Sequence, residues 1–157
     1  MPVDFEDEPR LPDSGRVTLR REGEGGQERA DRRFVRQVLV IFYALAGSLH
    51  LLWPQPFLSI VPGWVPLPAL VVALTGLAEL AGAVGLAQSR RPALRRAAGW
   101  GLALYALCVW PANWHHMMLD LAAGHAGRLF YHVPRLAAQP VLIWAAPWAA
   151  GARWRRR

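Results

Sequence analysis

Four apolar runs alternate with polar connections along this 157-residue chain, and their lengths suit membrane-crossing helices. The first runs from about Phe34 to Trp53, 20 residues with Arg36 near its start and His50 near its end. About 20 apolar residues cross a ~30 Å hydrocarbon core. The second, Ala69 to Gln88, is interrupted by one ionisable group, Glu79, about halfway along. The third starts near Leu94 and reaches Trp110-Pro111-Ala112-Asn113, where Pro111 should kink or end it. The fourth, roughly Leu136 to Ala150, is short and holds Gln139, Pro140 and Pro147; if it begins near Tyr131, Arg135 lies inside it. The pattern predicts an all-α fold, an integral membrane four-helix bundle over residues 34–150.

The connections differ in character. Trp53 to Pro68 carries no charge and five prolines, so it predicts an irregular or partly re-entrant outer loop between helices 1 and 2. Trp53, Phe57 and Trp64 suit the bilayer interface. Residues 114–134, polar and rich in His and Gly, read as a second outer loop. Residues 1–33 are charged and cannot bury a core, which predicts a disordered cytoplasmic tail. Asp31-Arg32-Arg33-Phe34 and Ala44-Leu45-Ala46 resemble a twin-arginine signal and a cleavage site. The segment before them is too long and acidic, and the apolar run continues past the cut, so an uncleaved first helix is expected.

Charge fixes the orientation. Apolar residues make up 54 % and charged residues 18 %, figures compatible with a membrane bundle only if the charges are segregated. They are. All 18 basic residues are Arg; 16 lie in the N-terminal stretch, the 88–96 loop and the 151–157 tail, and only Arg128 and Arg135 lie elsewhere. The positive-inside rule puts both termini in the cytoplasm (N-in/C-in). A pI near 11.1 raises nucleic acid as a partner, but basic clusters flanking apolar spans belong to membrane orientation, and the expected partner is the lipid bilayer. Cys108 stands alone, which excludes an intrachain disulfide or a CxxC pair.

Five polar residues fall in or beside the spans. A carboxylate near the bilayer centre costs roughly 2.5–3.5 kcal/mol on insertion scales, so Glu79 needs a partner or a role. Ala73, Gly76, Glu79 and Ala83 share one small-sided helix face that lets another helix approach. The carboxyl is then a proton carrier or a protonated packing group. His50 shares a face with Tyr43 and Gly47, where a neighbour can come close to the imidazole; it is a second proton carrier or an interfacial His. Asn113 either satisfies carbonyls freed by Pro111 or binds a polar ligand group. Arg135 and Gln139, four apart, stack on one face. Arg135 is an interfacial anchor or the counter-charge to Glu79. With His50, Asn113, Arg135 and Gln139 toward the outer side and Glu79 below them, the five would line a cavity opening outward. Trp114-His115-His116-Met117-Met118, with Cys108, raises copper, but adjacent side chains diverge on a helix. A haem held by His50 and His115 or His116 would sit shallower than axial pairs usually do. No metal site is expected.

Gly47-Ser48-Leu49-His50, Pro56-Phe57-Leu58-Ser59-Ile60-Val61-Pro62, Leu67-Pro68, Gly76-Leu77-Ala78-Glu79, Gly82, Pro111-Ala112-Asn113 and Arg135-Leu136-Ala137-Ala138-Gln139, in that order, resemble the DoxX-like family of small bacterial membrane proteins. The resemblance covers about residues 36–148. It implies four transmembrane helices in the bacterial plasma membrane and an association with redox work; one branch is a subunit of a thiosulfate:quinone oxidoreductase, and eukaryotic relatives have assembly or chaperone roles. The family pattern carries onto His50, Glu79, Asn113, Arg135 and Gln139. Trp114-His115-His116 and the long charged N-terminal stretch depart from it.

Two functions follow as expectations. One is a redox-linked accessory subunit whose outer cavity holds a quinone headgroup or small sulfur compound, with Glu79 or His50 moving a proton and a partner redox protein supplying electrons. The other is a non-catalytic scaffold, assembly factor or small-molecule binder, alone or as a homo-oligomer, whose polar cluster only specifies helix packing. No P-loop, Rossmann glycine pattern or Ser-His-Asp set is present.

Overall fold

A computed structural model describes residues 13–152, which are helical apart from loops and turns and contain no strand. The elements are α1 (Asp13–Leu52), α2 (Gln55–Leu58), α3 (Pro68–Ala87), α4 (Pro92–Ala122) and α5 (Leu129–Ala149). Contacts divide the chain into Met1–Asp31 and Arg32–Arg157. Two stretches, Gln27–Leu52 and Pro68–Ala87, are long and apolar enough to cross a membrane.

Three element boundaries differ from the sequence reading. The helix begins at Asp13, so residues 13–33 are helical where a disordered tail is expected from composition. The stretch carries good helix formers, and the Gln27 amide donates to Asp31 Oδ1 at 3.0 Å, one turn on. Residues 1–12 of that expected tail, and residues 153–157 of the basic C-terminal tail, lie outside the described residues. Pro111 does not end the third helix, which runs on to Ala122. Its ring forfeits one backbone hydrogen bond, and the turns on both sides hold. The expected 114–134 loop is therefore mostly helix: the end of α4, a 3-10 turn at Ala126–Arg128 and the start of α5. The fourth helix starts at Leu129, earlier than Tyr131, and places Arg135 inside it.

The Pro-rich segment between α1 and α3 is irregular, with one short helical turn, α2. It ends at Leu67, whose left-handed backbone (φ 51°) costs a non-glycine residue about 1–2 kcal/mol and turns the chain into Pro68 at the first position of α3.

Within Arg32–Arg157 the helices approach through small residues. A Cβ on Gly82 would run into the Leu102 side chain, one on Gly85 would lie 2.5 Å from Ala98, and one on Gly99 2.8 Å from the Ala146 carbonyl oxygen. Around these contacts lie Leu39, Leu86, Leu102, Ala146, Ala149 and Ala150, all buried. The C-terminus of α5 is capped from outside: Arg95 donates to the Ala150 carbonyl at 3.2 Å and Arg32 to the Trp148 carbonyl at 3.2 Å. Cations suit the negative end of a helix, so these arginines stabilise α5 in addition to any effect on orientation.

Candidate functional site

Toward the other end of these helices the packing opens into a cavity of about 550 Å³. His50, Glu79, Asn113, Arg135 and Gln139 all line it, from four different helices. Phe57, Ile60, Val61, Trp64 and Val65 of the Pro-rich segment form another wall, so that segment is cavity lining as well as connection. Most of the remaining wall is apolar.

The α1–α3 crossing brings two of the polar groups together. A Cβ on Gly47 would lie 2.7 Å from the Gly76 carbonyl oxygen, and one on Gly76 would lie 2.8 Å from His50 Cβ. Only glycine at both positions allows this approach. It sets His50 Nδ1 2.8 Å from Glu79 Oε2. The same Nδ1 lies 2.9 Å from the Ala46 carbonyl, one turn back. A single N–H serves one acceptor well, and Glu79 Oε2 has no directed donor of its own. The 2.8 Å contact is thus a close charge–dipole or ion-pair approach rather than an aligned hydrogen bond. The other carboxylate oxygen is satisfied, since Tyr105 Oη donates to Glu79 Oε1 at 2.8 Å. Phe57 stacks on the His50 ring with centroids 3.7 Å apart.

Arg135 is not the counter-charge to Glu79. One guanidinium nitrogen donates to Asn113 Oδ1 and the other to His116 Nδ1 at 2.8 Å. Neither partner is a carboxylate. Its fork is engaged by two neutral acceptors, and its positive charge faces an apolar cavity. Asn113 is accounted for by Arg135, with its oxygen as acceptor, rather than by the carbonyls that Pro111 frees. Gln139 Oε1 is buried without a partner, as is Tyr43 Oη.

A second cluster sits beside Arg135, outside the cavity, and sequence reasoning missed it. Asp120 Oδ2 lies 2.8 Å from His132 Nε2 and 3.7 Å from His116 Nε2; Oδ1 accepts from Arg128 at 2.8 Å and lies 3.7 Å from His125 Nδ1. His132 and Arg128 thus donate to one Asp120 oxygen each. Because a guanidinium can only donate, His116 Nδ1 accepts from Arg135 and carries no proton in that contact. The four-residue spacing of His116 and Asp120 was the one legible signal. His132 joins only because α5 folds back on α4, and Arg128 comes from the 3-10 turn between them. His115, one position away, is not part of the cluster, and Met117 and Met118 differ in burial, as divergent neighbours should. Cys108 is exposed and also borders the cavity.

A family model described as Domain of unknown function (DUF8561) matches residues 39–150, and the match is to this model rather than to a DoxX-like one. No curated protein and no solved structure matches the chain.

Proposed function

We propose that this chain, which belongs to the family described as Domain of unknown function (DUF8561), is a multi-pass membrane protein that binds a small redox-active molecule in its cavity as an accessory subunit. The proposed form is a four-helix bundle in the bacterial plasma membrane with both termini in the cytoplasm. Burial supports it. In the most apolar windows of Gln27–Leu52 and Pro68–Ala87, 17 % and 33 % of residues are buried. The core helix of a water-soluble protein would be mostly buried; these show Phe34, Ile41, Leu45, Leu74 and Val84 outward. α4 and α5 do the same with Leu104, Trp114, Phe130 and Trp144. Hydrocarbon covers such a surface at no cost, whereas water does not.

The observation that carries the ligand reading is the convergence of His50, Glu79, Asn113, Arg135 and Gln139 on one cavity of about 550 Å³. That volume falls in the range of small-molecule sites, as does an apolar wall with a few polar groups. Arg135, hydrogen-bonded to two neutral acceptors and set over the Tyr131 ring, favours a ligand with an electron-rich oxygen: a quinone carbonyl or the oxygen of a small sulfur compound. Glu79 and His50, in contact at 2.8 Å, form the pair through which a proton would move. A partner protein or bound cofactor would supply the electrons, as the DoxX-like resemblance implies.

A second reading has its own support. Tyr105 occupies one oxygen of Glu79 and His50 crowds the other, so the cluster could serve helix packing alone in a scaffold or assembly factor. One experiment separates them. The protein is purified in mild detergent and its bound molecules are identified by mass spectrometry, beside Glu79→Gln and Arg135→Gln. A quinone or sulfur compound in the wild type, and its loss from both folded variants, is the expected result. Bulk lipid alone in all three would remove the tightly bound ligand and leave the scaffold reading.

A further inference from the structure

We propose that His116, Asp120 and His132 form a binding site for a divalent transition-metal ion of the zinc type, outside the cavity and joined to it through Arg135. The three candidate donor atoms lie within 4.8 Å of one another. In a tetrahedral zinc site with bonds of about 2.0–2.1 Å, donors sit about 3.4 Å apart. The two edges that meet at Asp120 Oδ2, 2.8 Å to His132 Nε2 and 3.7 Å to His116 Nε2, bracket that value. Small side-chain shifts would bring the donors onto a common ion. Two imidazoles and a carboxylate suit zinc and its neighbours in the first transition row better than magnesium or calcium, which prefer oxygen.

The scaffold holds the set in place. His116 and Asp120 stand one turn apart on α4, and α5 supplies His132, which is 1 % exposed. His125, half exposed and 3.7 Å from the other Asp120 oxygen, or a water would complete the coordination.

Two arginines oppose the ion, and each makes a distinct expectation. Arg128 holds Asp120 Oδ1, but its side chain is 57 % exposed and can turn away into solvent. It is a competitor for the carboxylate. Arg135 donates to His116 Nδ1, which places the ring proton on Nε2. A metal on Nε2 moves that proton to Nδ1, where it faces the guanidinium as a second donor. Arg135 must then release His116 while it keeps Asn113, the Tyr131 ring and its place on the cavity wall. Metal loading and cavity occupancy are therefore linked through one side chain. This link rests on the cavity being a ligand site; the metal site does not.

The test is a titration of Zn²⁺ alone into the full chain in mild detergent, by calorimetry and by competition with a chromogenic chelator, with any polyhistidine tag removed. One ion per chain is expected. Asp120→Asn and His132→Gln should each weaken binding at least tenfold, and His115→Gln should leave it unchanged. Arg128→Gln retains every donor and removes the competitor, so it should tighten binding. Lack of saturable one-to-one binding in the wild type overturns the site, as does equal binding by Asp120→Asn. If Asp120→Asn and His132→Gln do not fold, Arg128→Gln decides: tighter binding supports the site, while weaker or unchanged binding shows an arginine-closed ion cluster instead. A cavity that holds no ligand would remove the link and leave the zinc result standing.

Discussion

The two ends of this helix bundle use small residues for opposite purposes. Near Gly82, Gly85 and Gly99 a missing side chain on one helix is filled by Leu102, Ala98 or Ala150 of the next, and the interior there is apolar and closed. Near Gly47 and Gly76 the backbones come just as close, but the side chains flanking the crossing are His50 and Glu79, and space opens beside them. The first arrangement maximises contact. The second spends its close approach on holding an imidazole against a carboxyl and leaves about 550 Å³ unfilled. A protein selected for packing alone would have filled that volume, because each void forfeits contacts along its walls. The difference teaches that close packing and the cavity are segregated to opposite ends of the helices, so substitutions at the two ends should fail in different ways.

The largest effect should come from the closed end. Gly99→Leu would drive a side chain into the Ala146 carbonyl oxygen and Pro147, backbone atoms that cannot yield. Loss of a monodisperse peak in fluorescence-detected size-exclusion chromatography is expected. A well-folded variant would show that α4 and α5 are not locked here. Next is Gly47→Ala at the open end. Its Cβ meets the Gly76 carbonyl oxygen at 2.7 Å, and overpacking of this kind costs about 1–3 kcal/mol. The variant should still fold, with a lowered melting temperature in detergent, and should separate His50 from Glu79. Retained ligand would then argue against that pair as part of the site.

The helix faces were readable from the sequence because small residues and Glu79 recur at helical spacing; of that face Gly76, Glu79 and Ala83 are buried on α3 and Ala73 is half-buried. The shared cavity of the five polar residues was readable too, since helices that alternate in direction bring His50, Asn113 and Arg135 to one end. What could not be read was pairing. Glu79 takes Tyr105, a residue with no polar flag in an apolar run, and Arg135 takes His116 rather than Glu79. Side-chain partners depend on helix rotation and reach, which hydropathy does not encode. Pro111 and residues 114–134 misled for a related reason. A proline removes only one hydrogen bond, and flanking turns packed against α5 outweigh it.

The proposed topology follows in size. In a Cys108→Ala background, a cysteine at Gly127 should react with an impermeant maleimide added to intact cells, and one at Arg91 only after lysis. Reversed labelling would invert the bundle and place the cavity at the cytoplasmic face.

The finest comparison is within the open end, between two tyrosines 6.4 Å apart. Tyr105 donates to Glu79 at 2.8 Å, while the Tyr43 hydroxyl, buried with the rest of its side chain, has no partner. Removal of one member of a buried hydrogen bond strands the other at about 1–3 kcal/mol; removal of a hydroxyl that already lacks a partner strands nothing. Tyr105→Phe should therefore lower the melting temperature, and Tyr43→Phe should leave it unchanged or raise it slightly. The ring volume is the same in both, so packing cancels from the comparison. If both variants lose stability equally, Tyr43 has a partner in the folded protein, such as an ordered water or a bound ligand. A loss at Tyr43 that disappears once the bound molecule is stripped would assign that partner to the ligand. The orphan hydroxyl would then mark where the occupant's polar end rests.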